Sequence, residues 1–382
     1  MSIVFLRCLL TASKTYSTLF VNVHVNVNGV SIMTNSRSES VTIVQVAQEA
    51  GVSAQTVSRV LNNRPDVSAA TRERILGVIE RLNYKPNAIA RGLVQRKTHS
   101  LGVIAAGLEK YGPLRTVIGI EQETRALGYS LLLSLIPDDA TENQVVEALE
   151  HLLARQVDGV LWSAPEIGPN RAWLDSLLGR LTVPTVFMSM HPHPAVTVID
   201  TDNRMGGNLA TVHLTEQGCR RVAHICGPQS QWSALQRRLG WEDALRAVGQ
   251  TPDAALLVEG DWTAASGYAA IRELIERVPD LDGVFAGNDQ MGLGALLAAS
   301  ELGIRIPEQL AIIGYDNIPE AAYMQPPLSS IRQHLHDSGA IAVRELIRQI
   351  TLQRAGNNSG EGQTILVEPD LIVRRSSLYA KP

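Results

Sequence analysis

Residues 42–61 read TIVQVAQEAGVSAQTVSRVL, and residues 68–93 continue as SAATRERILGVIERLNYKPNAIARGL. Thr42 and Gln45 have the Thr-x-x-Gln spacing of a capping box, which starts a helix. Behind it Ile43, Val46, Ala47 and Ala50 fall on one helical face, and Gly51 ends the run. Ser53 can cap a second helix whose Val57, Val60 and Leu61 turn inward. Two short helices about a glycine turn form a helix-turn-helix pattern. The second helix presents Ala54, Gln55, Ser58 and Arg59. Gln can bond adenine and Arg guanine through paired hydrogen bonds, so this face can read base edges in a major groove. A third helix is expected from Ser68, burying Ile75, Val78, Ile79 and Leu82. From pattern alone, a small helical bundle without a DNA role fits equally well.

Charge separates along the chain. The 382 residues carry a net charge of −4. Residues 41–100 hold nine Lys/Arg against four acids, or +5, and residues 1–40 hold three bases and one acid, or +2. That leaves −11 for the remainder. A basic head on an acidic body suits a head that meets a polyanion. After Pro86, residues 87–93 are a short segment, marginal as a helix alone, that can fold on binding. Leu93 there could wedge between base pairs in a minor groove, or the segment could be a plain linker.

The first 32 residues are Val-rich and lack the layout of a signal peptide. Met33 then opens a polar run. Residues 1–40 are therefore expected to be disordered, or to reflect a misassigned start with the true one at Met33. No stretch has the about 18 unbroken apolar residues of a membrane span. Cys8, Cys219 and Cys226 form no CxxC pair and are a poor number for a disulfide scaffold, so a reducing, cytoplasmic setting is expected, nucleoid-associated if the head binds DNA.

From residue 101 apolar runs recur between amphipathic stretches. Strands are expected at 101–106, 130–135, 159–162, 185–188, 196–199, 222–226, 283–286 and 311–315, with helices such as 116–127 and 144–154 between them. Such alternation predicts an α/β body of two parallel-sheet lobes, with ligands at strand C-termini. Arg237, Trp262, Asn288, Asp289, Asp316 and Asn317 stand near those ends. Planar polar groups that bond vicinal hydroxyls, beside an aromatic ring, are what a sugar needs. Asn and Asp also favour turns and caps, which is the preferred reading of Asp289; for Trp262 the plain alternative is core packing.

Other chemistries find little support. No Gly-x-Ser-x-Gly, HExxH or P-loop is present, and Gly292-x-Gly294 lacks the third glycine of a dinucleotide fingerprint, so helix packing is its expected role. No catalytic residue or cofactor is assigned. His213, Cys219, His224, Cys226, His191 and His193 match no zinc spacing, so no metal site is assigned either.

The head stretch, together with GPQSQWSALQRRLGWEDAL, EGDWTAASGY, VFAGNDQMGLGAL and AIIGYDN…PPLSSIRQ further on, resembles the LacI/GalR-type bacterial repressors from residue 42 to about 375. The body is most similar to the family's lactose-responsive branch. The resemblance implies an all-α helix-turn-helix head over 41–85 and a hinge helix and linker over 86–99. Beyond them it implies a two-lobed, periplasmic-binding-protein-like body over 100–375 and a tail over 376–382. It implies DNA contacts by Thr42, Ser53, Ala54, Gln55, Ser58, Arg59, Ser68, Thr71, Asn87 and Ala90, with Leu93 as a wedge at a central CpG step of a pseudo-palindromic operator. Arg237, Trp262, Asn288 and Asp316 fall on inducer-contacting positions, with Ser189, Ser233 and Gln333 along the same cleft. Ala54, Ser163, Ser189 and Leu335 depart from the lactose-responsive pattern, so operator and ligand are expected to differ from it. The chain ends without that branch's leucine-heptad tail, which implies a homodimer. The effector is expected to be a sugar, with galactosides as the first candidates, acting as inducer; a purine-like corepressor is the alternative, and a sugar-binding protein without a DNA role a further one.

Overall fold

The computed structural model describes residues 41–85, 97–166, 174–357 and 362–378, together with an antiparallel pair of two-residue strands, Val25–Asn26 and Gly29–Val30. The rest of the expectation for residues 1–40 lies outside the described residues, as do Asn87, Ala90, Leu93 and the end of the tail. The chain divides into two compact units at residue 88.

The first unit is α1 (Ile43–Glu49), α2 (Ala54–Leu61) and α3 (Ala69–Arg81). Both arms of the Thr42/Gln45 capping box form, at 3.3 and 2.7 Å. Ser53 and Ser68 accept from the backbone of Thr56 and Thr71, satisfying donors that each helix start leaves free. Gly51 turns the chain at φ +62°. Val46, Ala47, Ala50, Val57, Val60, Ile75, Val78 and Tyr84 bury the small core. Leu61, Ile79 and Leu82, expected inside, are only partly buried, because three short helices enclose too little volume to cover them. Arg72 donates to the carbonyls of Val60 and Arg64, closing the loop between α2 and α3.

The second unit contains two six-stranded sheets. Lobe 1 holds β1 (Ser100–Ala105), α4 (Tyr111–Ala126), β2 (Ser130–Leu135), α5 (Glu142–Ala154), β3 (Gly159–Ser163), α6 (Leu174–Leu178), β4 (Thr185–Met188) and β5 (Thr197–Thr201). Lobe 2 holds α7 (Asn203–Glu216), β6 (Val222–Cys226), α8 (Trp232–Ala247), β7 (Leu257–Glu259), α9 (Ala264–Arg277), β8 (Gly283–Ala286), α10 (Asp289–Glu301), β9 (Ala311–Asp316) and β10 (Ser329–Arg332). The chain then returns to lobe 1 as α11 (Leu335–Arg354) and β11 (Thr364–Val367), and ends in lobe 2 with β12 (Asp370–Ile372). Strand order is β11-β5-β4-β3-β1-β2 in lobe 1 and β12-β10-β9-β8-β6-β7 in lobe 2, all parallel except β10 with β12. Parallel strands covered on both faces are largely apolar, and β3, β4, β6, β8 and β9 are buried at every position.

All eight expected strands exist, though the one expected at 196–199 begins at Thr197 and runs to Thr201. Four further strands, β7, β10, β11 and β12, are short and lie at or near sheet edges. α4 starts five residues before its expected beginning, at Tyr111, despite Pro113. Proline is tolerated in a first helical turn, where its missing N–H would be unpaired anyway. Gly292 and Gly294 do serve packing: a Cβ on Gly294 would lie 1.8 Å from the Ala264 carbonyl oxygen, where α10 crosses α9.

Candidate functional site

The face of the head is built by α2. Gln55 and Arg59 are exposed and Ala54 and Ser58 half-exposed, while Val57 and Val60 hold the opposite side in the core. Arg59 pairs with Asp66 at 3.5 Å, half open to water and therefore readily exchanged for another anion. Thr42, Ser53 and Ser68 all sit at helix N-caps, and Thr71 bonds the Ser68 hydroxyl at 2.9 Å. A capping hydroxyl beside free backbone N–H groups is also a ready phosphate contact.

The second unit contains a cleft of ≈ 420 Å³ between its lobes. The seven body residues that the resemblance placed at the cleft, Ser189, Ser233, Arg237, Trp262, Asn288, Asp316 and Gln333, line it, as do the departing positions Ser163 and Leu335; Asn317, also singled out near a strand end, does not. The seven are separated by up to 144 positions in the chain, and the strand ends and crossovers gather them. Sequence reading missed Lys110, Tyr111, Asp200, Asn203, Gln231 and Gln290, which share the lining. Asp200 and Asn203 flank a crossover that alternation of strands and helices could have marked; Tyr111 lay hidden by the late expected start of α4.

Arg237 is buried and fixed. Its Nε donates to Asn203 Oδ1 at 2.9 Å and its Nη1 to the Gly287 carbonyl at 2.6 Å. Its guanidinium carbon lies 5.4 Å from the Trp262 ring centre. Trp262 itself adopts φ +73°. Its indole N–H donates to Gln231 at 2.9 Å, and its carbonyl accepts from Asn288 Nδ2 at 3.0 Å. It packs against the lobe 2 core, as the plain reading expected, and also lines the cleft.

Asp316 accepts from Gln333 Nε2, and burial pushes its carboxyl up to about 6 against the pull of Arg237 and Gln333. Asp200 accepts from Trp232 Nε1 at 3.0 Å and from the Thr201 N–H at 2.9 Å, and burial lifts it to about 7. Asp289 does not line the cleft: it is fully buried and bonds Ser330 and the Ile318 backbone. Asp261 bonds the start of α9 through Thr263.

The strand histidine is engaged elsewhere. His224 stacks on Phe285 with ring centres 4.4 Å apart, and burial holds it near 3. Cys226 donates to the Val258 carbonyl, and burial pushes its thiol up to about 12. His213 bonds Ser377 at 2.8 Å.

A helix-turn-helix head joined to a two-lobed, cleft-bearing body defines a ligand-responsive DNA-binding regulator. Residues 42–87 match the family model described as bacterial regulatory proteins, lacI family, and residues 211–377 match the periplasmic binding protein-like domain. The HTH-type transcriptional repressor PurR of Haemophilus influenzae is 35% identical over 335 residues, covering 88% of this chain and 98% of that one. A lac repressor dimer solved on its operator with the anti-inducer ONPF superposes with a TM-score of 0.80 at 30% identity, covering 89% of this chain and all of that one. A complex of the regulator CelR with cellobiose does so at 0.65 and 34%, covering 88% and 99%. The chain belongs to the LacI family of bacterial transcriptional regulators. These relatives are regulators rather than enzymes, and among the described residues no helix is long and apolar enough to cross a membrane.

Proposed function

We propose that the chain is a cytoplasmic, nucleoid-associated repressor that grips a pseudo-palindromic operator as a homodimer and is released by a neutral sugar. The observation that carries this reading is the lining of the cleft. Arg237, Asn288, Asp316 and Gln333 present planar polar groups suited to vicinal hydroxyls, and Trp262 stands beside them for the apolar face of a ring. Glu109, Asp261 and Asp316, with Asp200 partly ionised, outnumber Lys110 and Arg237 around the cavity, which disfavours a phosphorylated or carboxylated ligand. The CelR–cellobiose complex supports a sugar in a cleft of this fold.

In the head, Gln55 and Arg59, with Ala54 and Ser58, read base edges; Thr42, Ser53, Ser68 and Thr71 hold phosphates. Asn87, Ala90 and Leu93 form the hinge contact at a central CpG step. The head spans 41–85, the hinge and linker 86–99, and the ligand-binding body 100–375. Two heads must sit about one helical turn apart to engage both half-sites. A sugar that favours one arrangement of the lobes lowers operator affinity by its own preference between the two states, typically about 1–3 kcal/mol per site. The chain performs no catalysis in this scheme and needs no cofactor.

A band-shift on symmetric operators with a central CpG, at fixed salt, tests it, with galactosides, cellobiose and other neutral sugars added in turn. Specific binding released by one of them is the expected result. Binding that no sugar alters, or that a purine strengthens, would replace the sugar inducer; absence of specific binding would remove the operator assignment.

A further inference from the structure

Asp316 and Asn317 close β9 with φ of +109° and +53°, a region that L side chains enter only under constraint. The constraint comes from below the cleft. Asp289, 0% exposed, accepts the Ile318 N–H at Oδ2 (2.8 Å) and the Ser330 hydroxyl at Oδ1 (2.7 Å). The same Ser330 hydroxyl accepts the Asn317 N–H at 2.9 Å. Two successive N–H groups of the turn that presents Asp316 are thus held by one buried pair. Gly314 makes room for it, since a Cβ there would stand 2.2 Å from Asp289 Oδ1. The preceding residue works in parallel: Asn288 holds the carbonyl of Trp262, the other cleft residue with positive φ on this wall.

We infer that Asp289, with Ser330, is a positioning residue for the effector site: it touches no ligand but sets ligand affinity by holding Asp316 in its left-handed conformation. Without its acceptor the Ile318 N–H is left buried and unpaired, and the turn relaxes toward ordinary backbone angles, carrying the Asp316 carboxylate off its position. The inference rests on the sugar reading of the cleft for its affinity arm only.

Two measurements on the full chain test it. Titration calorimetry with cellobiose and methyl β-galactoside should show Asp289→Ala and Ser330→Ala weakening sugar binding by about tenfold or more, with sugar-free operator binding unchanged. Asp289→Asn should recover to within about threefold, because its amide oxygen can accept from Ile318 while its NH2 donates to Ser330. Hydrogen exchange, which needs no ligand, should quicken at residues 316–318 in both alanine variants and not in Asp289→Asn. If Asp289→Ala does not fold, Ser330→Ala carries both readouts. Exchange at 316–318 unchanged in a folded alanine variant would overturn the inference, as would sugar affinity unchanged alongside a lowered Tm, which would mark a merely structural role. If the native chain binds neither sugar, those two are excluded as effectors, and the exchange data still decide whether Asp289 holds the turn.

Discussion

The guanidinium of Arg237 lies over the ring of Tyr315, 3.7 Å from its centre, at the floor of the interlobe cleft. Stacked there and forked between Asn203 and Gly287, it is a rigid planar donor of the kind lysine cannot copy. Arg237→Lys should weaken sugar binding about tenfold or more, while the sugar-free chain still shifts operator. Calorimetry with the sugar that releases operator would check it; native affinity in the variant would show that charge alone suffices.

Asp316→Ala removes the carboxylate that Gln333 and Arg237 flank. The variant should bind operator as the native chain does and fail to let go when sugar is added. Normal release would place the ligand elsewhere in the cleft.

Arg59→Ala should cost about 1–3 kcal/mol on the specific site and far less on random duplex. Competition band-shifts at a single salt concentration separate the two. Equal losses on both would reduce Arg59 to a phosphate contact.

Acidity should act on stability in two opposed windows. Asp200 and Asp316, raised to about 7 and about 6, keep protons that the unfolded chain has released, so stability increases as pH falls from 8 toward the mid-range. His224 runs the other way: held near 3 by burial, it stays neutral where an unfolded histidine takes up a proton, so stability is lost below about 6.5. Two raised acids outweigh one lowered histidine, so calorimetric Tm of the sugar-free chain should rise as pH falls from 8 toward about 5. A Tm rising steadily from pH 5 to 8 would contradict the two acid assignments.

Gly294→Ala should lower stability by about 2 kcal/mol or more, since a methyl group would press on the Ala264 carbonyl and part α9 from α10. Denaturant unfolding measures it, and a change below about 0.5 kcal/mol would mean the helices yield easily.

Much of this protein is local, and the sequence alone determined that part. The capping box at Thr42, the caps at Ser53 and Ser68, the apolar faces of α1 to α3 and the buried runs of β3, β6, β8 and β9 each depend on residues a few positions apart, where periodicity and hydrogen-bonding chemistry are readable. The cleft residues were visible as types near strand ends and through resemblance of their motifs. Tertiary structure decided what each one does there. The short strands β7, β10, β11 and β12 owe their pairing to neighbours far along the chain, not to their own propensity. Asp200 and Asn203 enter the cleft because the chain crosses between lobes there, and Tyr111 because α4 begins just beyond the end of β1. Asp289 reads as an ordinary helix-start acid, yet the fold buries it beneath Asp316 and gives it Ser330, 41 positions away, as partner. No local pattern encodes such a contact, because it exists only when the lobe 2 sheet sets β8, β9 and β10 side by side.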